Sequence, residues 1–418
     1  MKPQEQKKKR RAIWSQTLIL LAGNGFGAIL SFLITGILTQ LLHVPLFGVY
    51  NGILAWVLPL VVLAECGFAT LTTRELAQNP QRSRSLLRQV LPYRLLISLL
   101  LYACVVVVSA LIPDREYSRT ALTAGTMVII LPLFNLFAAV LRAYFRVGII
   151  AALNVVMLAL QVLLLLFVAW DTATDAMFIN VITSLAQVIV TSIIVWKITQ
   201  DDYELFDFHS RQWLQDAVPF AIAGFLGAIQ LRLGLLLLTL EATKVSVALF
   251  AAATRFVDLA RVPLMAYFDV KFPSISAARH DPTHLKKGVS RLIFWAGAYG
   301  TVAGLALITG ASFLLLVLGR DYHQATLTLQ WLGLTFPLVA LRGALNVYCY
   351  ATGLEGLANR VSFVALVLAL LVSLTQPMNA TTMAGLLFFM EAFSVIALVA
   401  ALAFKRYAAT KSLYTPAK

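Results

Sequence analysis

Val247 to Val270 reads VALFAAATRFVDLARVPLMAYFDV. About 20 apolar residues suffice to cross a bilayer, and this run is long enough, yet Arg255, Asp258 and Arg261 interrupt it at three-residue spacing. In a helix that spacing puts Asp258 one turn from each arginine, on a shared flank. A charge at the bilayer centre costs at least ~2.5–3.5 kcal/mol, so the three groups are expected to face protein or water rather than lipid.

The rest of the chain has the same character. It has 418 residues, 60% of them hydrophobic and only 12% charged, and a mean hydropathy of +0.84. That is too little charge to solvate the surface of a soluble protein. The net charge of +14 does not point to nucleic acid, because most Lys and Arg lie in short polar segments between apolar runs, where they read as topology signals. Cys66, Cys104 and Cys349 form no CxxC pair and are odd in number, which gives no disulfide framework or metal site. The basic start MKPQEQKKKRR runs into an apolar segment without an A-x-A-like cleavage site, so it is expected to be retained as the first membrane helix.

Apolar runs of spanning length fall at about 15–41, 46–70, 91–112, 120–141, 148–169, 176–196, 213–240, 247–270, 292–318, 325–350, 358–375 and 381–404. The expected fold is therefore an all-α polytopic membrane protein of about twelve helices. Of the 33 Lys and Arg, 24 fall on the side of both termini and four on the other, which predicts cytoplasmic termini. The polar segment 197–212, KITQDDYELFDFHSRQ, has six spans on each side. It is expected to link an N-terminal lobe (1–196) to a C-terminal lobe (213–418). Lobes with an even number of spans share one orientation and meet around a central cavity. Prolines at Pro59, Pro132, Pro219, Pro263 and Pro337 fall inside predicted helices and are expected to bend them.

The stretch His43–Pro80, HVPLFGVYNGILAWVLPLVVLAECGFATLTTRELAQNP, resembles the N-terminal signature of the polysaccharide-transporter (Wzx-type) flippases of the multidrug/oligosaccharidyl-lipid/polysaccharide exporter superfamily. The matching parts are the Phe47-Gly48-x-Tyr50 entry, the apolar helix, the Gly67-Phe68-Ala69-Thr70 exit and Thr73-Arg74-Glu75. Val44-Pro45-Leu46 stands where the family has Gly-Pro, and Glu65-Cys66-Gly67 where it has an acidic residue, Leu and Gly. The resemblance implies a non-enzymatic flippase of the bacterial inner membrane. It would move undecaprenyl-diphosphate-linked glycan from the cytoplasmic to the outer leaflet, beside other polysaccharide-assembly membrane proteins, with no cofactor and no nucleic acid.

Such a cargo requires cations at membrane depth, and arginine pairs bidentately with phosphate and stays charged. The candidates are Arg232, Arg255, Arg261 and Arg342, with Asp258 holding Arg255 until phosphate arrives. Asn24, Asn51 and Gln230 are candidates for sugar hydroxyls, as are Asn135 and Asn346. Arg142 and Arg146 mark a candidate entry point. Glu65 and Glu391 are candidates for ion coupling, or for pairing with Arg232 or Arg342. Arg94, four residues into its span, is expected to snorkel to the interface. No P-loop, HExxH or GxSxG occurs. Two other readings remain open: a cation-coupled small-molecule exporter of the same superfamily, which would use acids as its main cavity charges, and a membrane-embedded polysaccharide-assembly enzyme.

Overall fold

The structure, a computed structural model, describes residues 22–23, 25–168, 170–200, 202, 204, 210–278, 281–375 and 377–414. Among them there is no strand. The helices are α1 (Gly25–Leu41), α2 (Val44–Glu65), α3 (Phe68–Gln78), α4 (Ser83–Ala110), α5 (Arg115–Gly125), α6 (Met127–Ala143), α7 (Val147–Phe167) and α8 (Ala173–Ile198). After them come α9 (Ser210–Glu241), α10 (Lys244–Ala277), α11 (Pro282–Leu318), α12 (Thr326–Thr352), α13 (Glu355–Ser373) and α14 (Ala380–Tyr414).

Of these, α5 and α6 together make one candidate span, Arg115–Ala143, whereas α2 is a span by itself and α3 follows it as a shorter helix. Nine helical segments of the described residues are long and apolar enough to cross a membrane, and Gly25–Leu41 and Gly224–Leu240 are shorter apolar helices. The charges of α10 keep it out of the apolar set, although its 34 residues rise about 51 Å. The connection expected over 271–290 is largely helical, because α10 runs on to Ala277 and α11 starts at Pro282. Helices α2, α6, α10 and α12 continue through Pro59, Pro132, Pro263 and Pro337.

Local chemistry sets the helix starts. Asp114 accepts from the backbone N–H groups of Glu116 and Tyr117 to begin α5, and Thr172 with Asp175 forms a capping box at α8. Both satisfy N–H groups that have no partner inside the helix. The second expected span, 46–70, ends early. Cys66 (φ 48°) and Gly67 (φ 69°) are successive left-handed residues that separate α2 from α3. Glycine takes that conformation without steric cost, whereas a residue with a Cβ does so only when its surroundings enforce it.

The chain divides into two compact units, Met1–Leu236 and Leu237–Lys418, with the division inside α9. In the first unit Phe68, Leu76, Leu86, Leu136 and Leu141 are fully buried in one core joining α3, α4 and α6. In the second unit α11 and α12 approach through small residues. A Cβ on Gly304 would lie 2.6 Å from the Gly333 carbonyl oxygen, and one on Gly300 would lie 2.7 Å from the Ala340 Cβ. Such close backbone approach is how membrane helices pack when no hydrophobic driving force separates them from lipid.

Residues of the polar segment 197–212 are fastened to the first unit. The Tyr144 hydroxyl donates to Asp202 Oδ2 at 2.6 Å and also lies 3.1 Å from the Pro80 carbonyl. Arg82 Nε pairs with Glu204 Oε2 at 2.8 Å, and Arg84 donates to the Gln200 carbonyl at 3.3 Å. Burial, then the Asp202 bond, pushes the Tyr144 phenol up to about 12. A raised pKa means that the folded state favours the protonated phenol. This pin is therefore complete below pH ~10, the ordinary tyrosine value, and is lost as pH rises through about 12. Tyr144→Phe is expected to speed limited proteolysis between Thr199 and Glu204 severalfold at neutral pH; unchanged cleavage would show that Arg82 and Arg84 hold the segment alone.

Candidate functional site

In the second unit, α10 carries Arg255, Asp258 and Arg261. Asp258 Oδ1 stands 3.4 Å from Arg261 Nη1, and the Asp258 side chain is 48% exposed. So open a pair contributes little. It joins Asp258 to Arg261, where the sequence reading expects Asp258 to hold Arg255. Arg255 is partly buried. The Arg261 Nε is buried without a hydrogen-bond partner, and Tyr299 on α11 donates to the carbonyl of Ala260 at 2.7 Å, tying α11 to this part of α10.

An ion pair of this unit joins α12 to α14. Arg342 Nη2 donates to Glu391 Oε1 at 2.8 Å, and Nε lies 2.5 Å from Oε2. Glu391 is only 5% exposed, and the guanidinium is its ion-pair partner. This is one of the two roles the sequence allowed for that acid. Asn346 lies one turn from Arg342 on α12, and its Oδ1 is buried with no hydrogen-bond partner among the described residues.

The first unit holds a charged cluster that the sequence reading missed. Arg94 does not snorkel, because its side chain is fully buried. It donates to the carbonyls of Glu65 and Pro132, both at 2.7 Å, and its guanidinium lies over the Phe68 ring at 5.9 Å. The reason is the break after α2, whose last carbonyl needs a donor in an apolar setting. Glu65 lies close enough to act electrostatically on both Arg94 and Arg142, and its Oε2 accepts from Asn135 at 3.0 Å. Asn135 therefore serves an acid here. No motif announces these partners. The available sign was an arginine inside an apolar run that also contained Pro92.

The remaining candidates are dispersed. Asn51 is buried, and its amide donates to the Phe47 carbonyl one turn back at 3.0 Å. Its near neighbour Tyr50 accepts from Asn180 on α8 at 3.1 Å. Gln230 and Arg232 are partly buried on the part of α9 that groups with the first unit. Arg142 and Arg146 are exposed at the α6–α7 turn, where Phe145 adopts φ 56°. Asn24 lies outside the described residues.

Comparison with solved structures identifies the fold. An inward-facing multidrug resistance MATE family transporter of the MOP superfamily superimposes with a TM-score of 0.70 at 15% identity, over 93% of this chain and 96% of that one. A MATE in complex with MaL6 gives 0.65 at 13% identity, over 97% of each chain. A MOP superfamily transporter from Pyrococcus furiosus gives 0.64 at 15% identity, over 97% of this chain and 96% of that one. A search of the curated proteins found no match.

A helical, multi-pass membrane protein with ion pairs and a buried arginine among its apolar helices, built on the fold of the MOP superfamily transporters, is the class these observations define. Residues 13–279 match the family model described as polysaccharide biosynthesis protein. That match covers well over half of the chain, and the chain belongs to this family.

Proposed function

We propose that the protein is a flippase for undecaprenyl-diphosphate-linked oligosaccharide, moving the glycan head from the cytoplasmic to the outer leaflet of a bacterial inner membrane. The observation that carries this reading is the excess of arginine at membrane depth, Arg232, Arg255, Arg261 and Arg342 on α9, α10 and α12, in a member of a polysaccharide biosynthesis family. A glycan head cannot cross hydrocarbon unaided, and its diphosphate needs cations that stay charged away from water. Two lobes joined by 197–212, with the termini in the cytoplasm, rock between inward and outward openings. The diphosphate docks on Arg255 of α10 and leaves when the protein opens outward. Outward passage of negative charge follows an inside-negative potential, worth ~2.3 kcal/mol per charge per 100 mV, so no nucleotide is required.

Multidrug transport is the second reading, favoured by the multidrug resistance transporter among the structural neighbours. The Pyrococcus furiosus neighbour is described as having a binding pocket of reverse polarity, which suggests a different function for that protein. A fold that accommodates pockets of differing polarity supports reading the cationic side chains here as fitted to an anionic cargo.

Reconstitution in liposomes, with a fluorescent lipid-diphosphate glycan and its protection from an external glycosidase as the readout, tests the proposal. Arg255→Ala is expected to slow translocation about tenfold or more, and Arg255→Lys to retain part of it, because lysine keeps the charge but not the bidentate fork. Normal translocation by a folded Arg255→Ala protein would sink the phosphate-clamp role. Export of an organic cation without glycan translocation would favour the multidrug reading.

A further inference from the structure

Glu391 is one of two acids that the sequence allows either for ion coupling or for pairing with Arg232 or Arg342. Its geometry favours the second. A guanidinium has two edges able to bind a planar or tetrahedral anion in fork fashion, and five N–H donors in all. Glu391 lies along the edge formed by Nε and Nη2 of Arg342, with a hydrogen bond from Nη2 to Oε1 and an ion contact between Nε and Oε2. Nη1 carries no hydrogen bond among the described residues, and the Arg342 side chain is 23% exposed whereas that of Glu391 is 7% exposed. The carboxylate thus lies behind the arginine and fixes the plane in which the remaining donors point. One turn along the same helix, the buried Oδ1 of Asn346 lacks a donor. A further turn on, the Tyr350 hydroxyl donates to Asn359 Oδ1 at 3.2 Å. Positions 342, 346 and 350 share one face of α12, so this face offers, in order, a phosphate-binding cation, an unsatisfied acceptor and a hydroxyl.

We infer that Glu391 is a positioning residue that holds Arg342 to receive a phosphate of the cargo, and that Asn346 accepts a hydroxyl from the sugar next to that phosphate. The inference rests on the flippase reading for its cargo but not for its chemistry, since any phosphorylated sugar would be recognised by the same face. It assigns Glu391 a positioning role in place of an ion-coupling one. It also adds Asn346 to Arg342 as one half-site lying wholly within the second unit.

The test uses the full chain in nanodiscs, with inorganic pyrophosphate and a UDP-sugar as soluble probes, followed by calorimetry. Glu391→Ala is expected to weaken pyrophosphate binding about tenfold, because the guanidinium loses its orientation, while Glu391→Gln keeps an acceptor for Nη2 and stays within about threefold of the parent. Asn346→Ala is expected to leave pyrophosphate unchanged and to weaken the UDP-sugar about fivefold, the usual scale for one lost hydrogen bond. Removing one partner of a buried pair can prevent folding, whereas replacing both with apolar residues is often tolerated. The double variant Arg342→Met/Glu391→Leu is therefore included, and is expected to fold and to lose pyrophosphate binding.

Pyrophosphate affinity that is unchanged in both Glu391→Ala and the double variant would overturn the inference. So would a Glu391→Gln protein that binds pyrophosphate normally but no longer responds to a proton gradient in liposomes, because that is the behaviour of an ion carrier. Equal UDP-sugar affinity in Asn346→Ala and the parent would remove the sugar half. If the parent binds pyrophosphate with this dependence but translocates no glycan, the flippase reading fails and the half-site stands.

Discussion

Arg94→Ala is expected to lower stability by about 3–5 kcal/mol, the range found when one partner of a buried charge network is removed. The arginine is fully buried, and two carbonyls depend on it, one closing α2 at Glu65 and one at Pro132 inside α6. Its loss leaves the Glu65 carbonyl at the end of α2 without a donor in an apolar surrounding, removes a second donor from the Pro132 carbonyl, and takes a buried cation away from Glu65. Arg94→Lys keeps the charge but presents a single ammonium in place of a fork, so it should fall between parent and alanine variant. Thermal unfolding of the detergent-solubilised protein, followed by tryptophan fluorescence, measures the series. A parent-like melting temperature for Arg94→Ala would mean that water replaces the guanidinium and that the α2–α3 break is held by other contacts.

Gly304→Leu should have a similarly large effect in the second unit. A Cβ at this position would meet the Gly333 carbonyl oxygen at 2.6 Å and the Pro337 Cδ at 3.1 Å. The first obstacle is backbone and the second a ring, so neither can rotate away, and α11 must move off α12. Even Ala should cost about 1–3 kcal/mol by overpacking, and Leu should exceed that or prevent insertion of a folded protein. Gly385→Ala on α14 is the control. Open space surrounds that position, and relief of glycine's conformational freedom in a helix favours Ala by roughly 0.5–1 kcal/mol. If Gly304→Leu purifies in parent-like yield with a parent-like melting temperature, the close approach of α11 and α12 is not a determinant of the fold.

The two predictions concern positions of unequal legibility. Gly304 is one of 23 glycines in a chain where glycine is common in membrane helices, and no local pattern separates it from Gly385. Arg94 stands in an apolar run near its cytoplasmic end, and the ordinary expectation for such a residue is to reach the headgroups. That expectation failed because α2 stops at Glu65 inside the protein, and the exposed end of a helix draws a donor from whichever neighbour is in reach. Glu391 shows the same limit from another side. Its burial could be read from its place in an apolar helix, but its pairing with Arg342 bridges 49 residues of chain.

Hydrophobic run length, charge placement and the His43–Pro80 signature were enough to determine that this is a polytopic helical membrane protein of a polysaccharide family, because the bilayer permits few ways to satisfy a backbone and each leaves a long local pattern. The tertiary structure alone decided which polar groups meet: Arg94 with the end of α2 and the interior of α6, Asn135 with Glu65, Asp258 with Arg261, and Arg342 with Glu391. Only the Asp258–Arg261 pair lies within one helix turn, and it is the most exposed and weakest of them. The others depend on where separate helices cross, a relation set by side-chain packing that one-dimensional periodicity does not record.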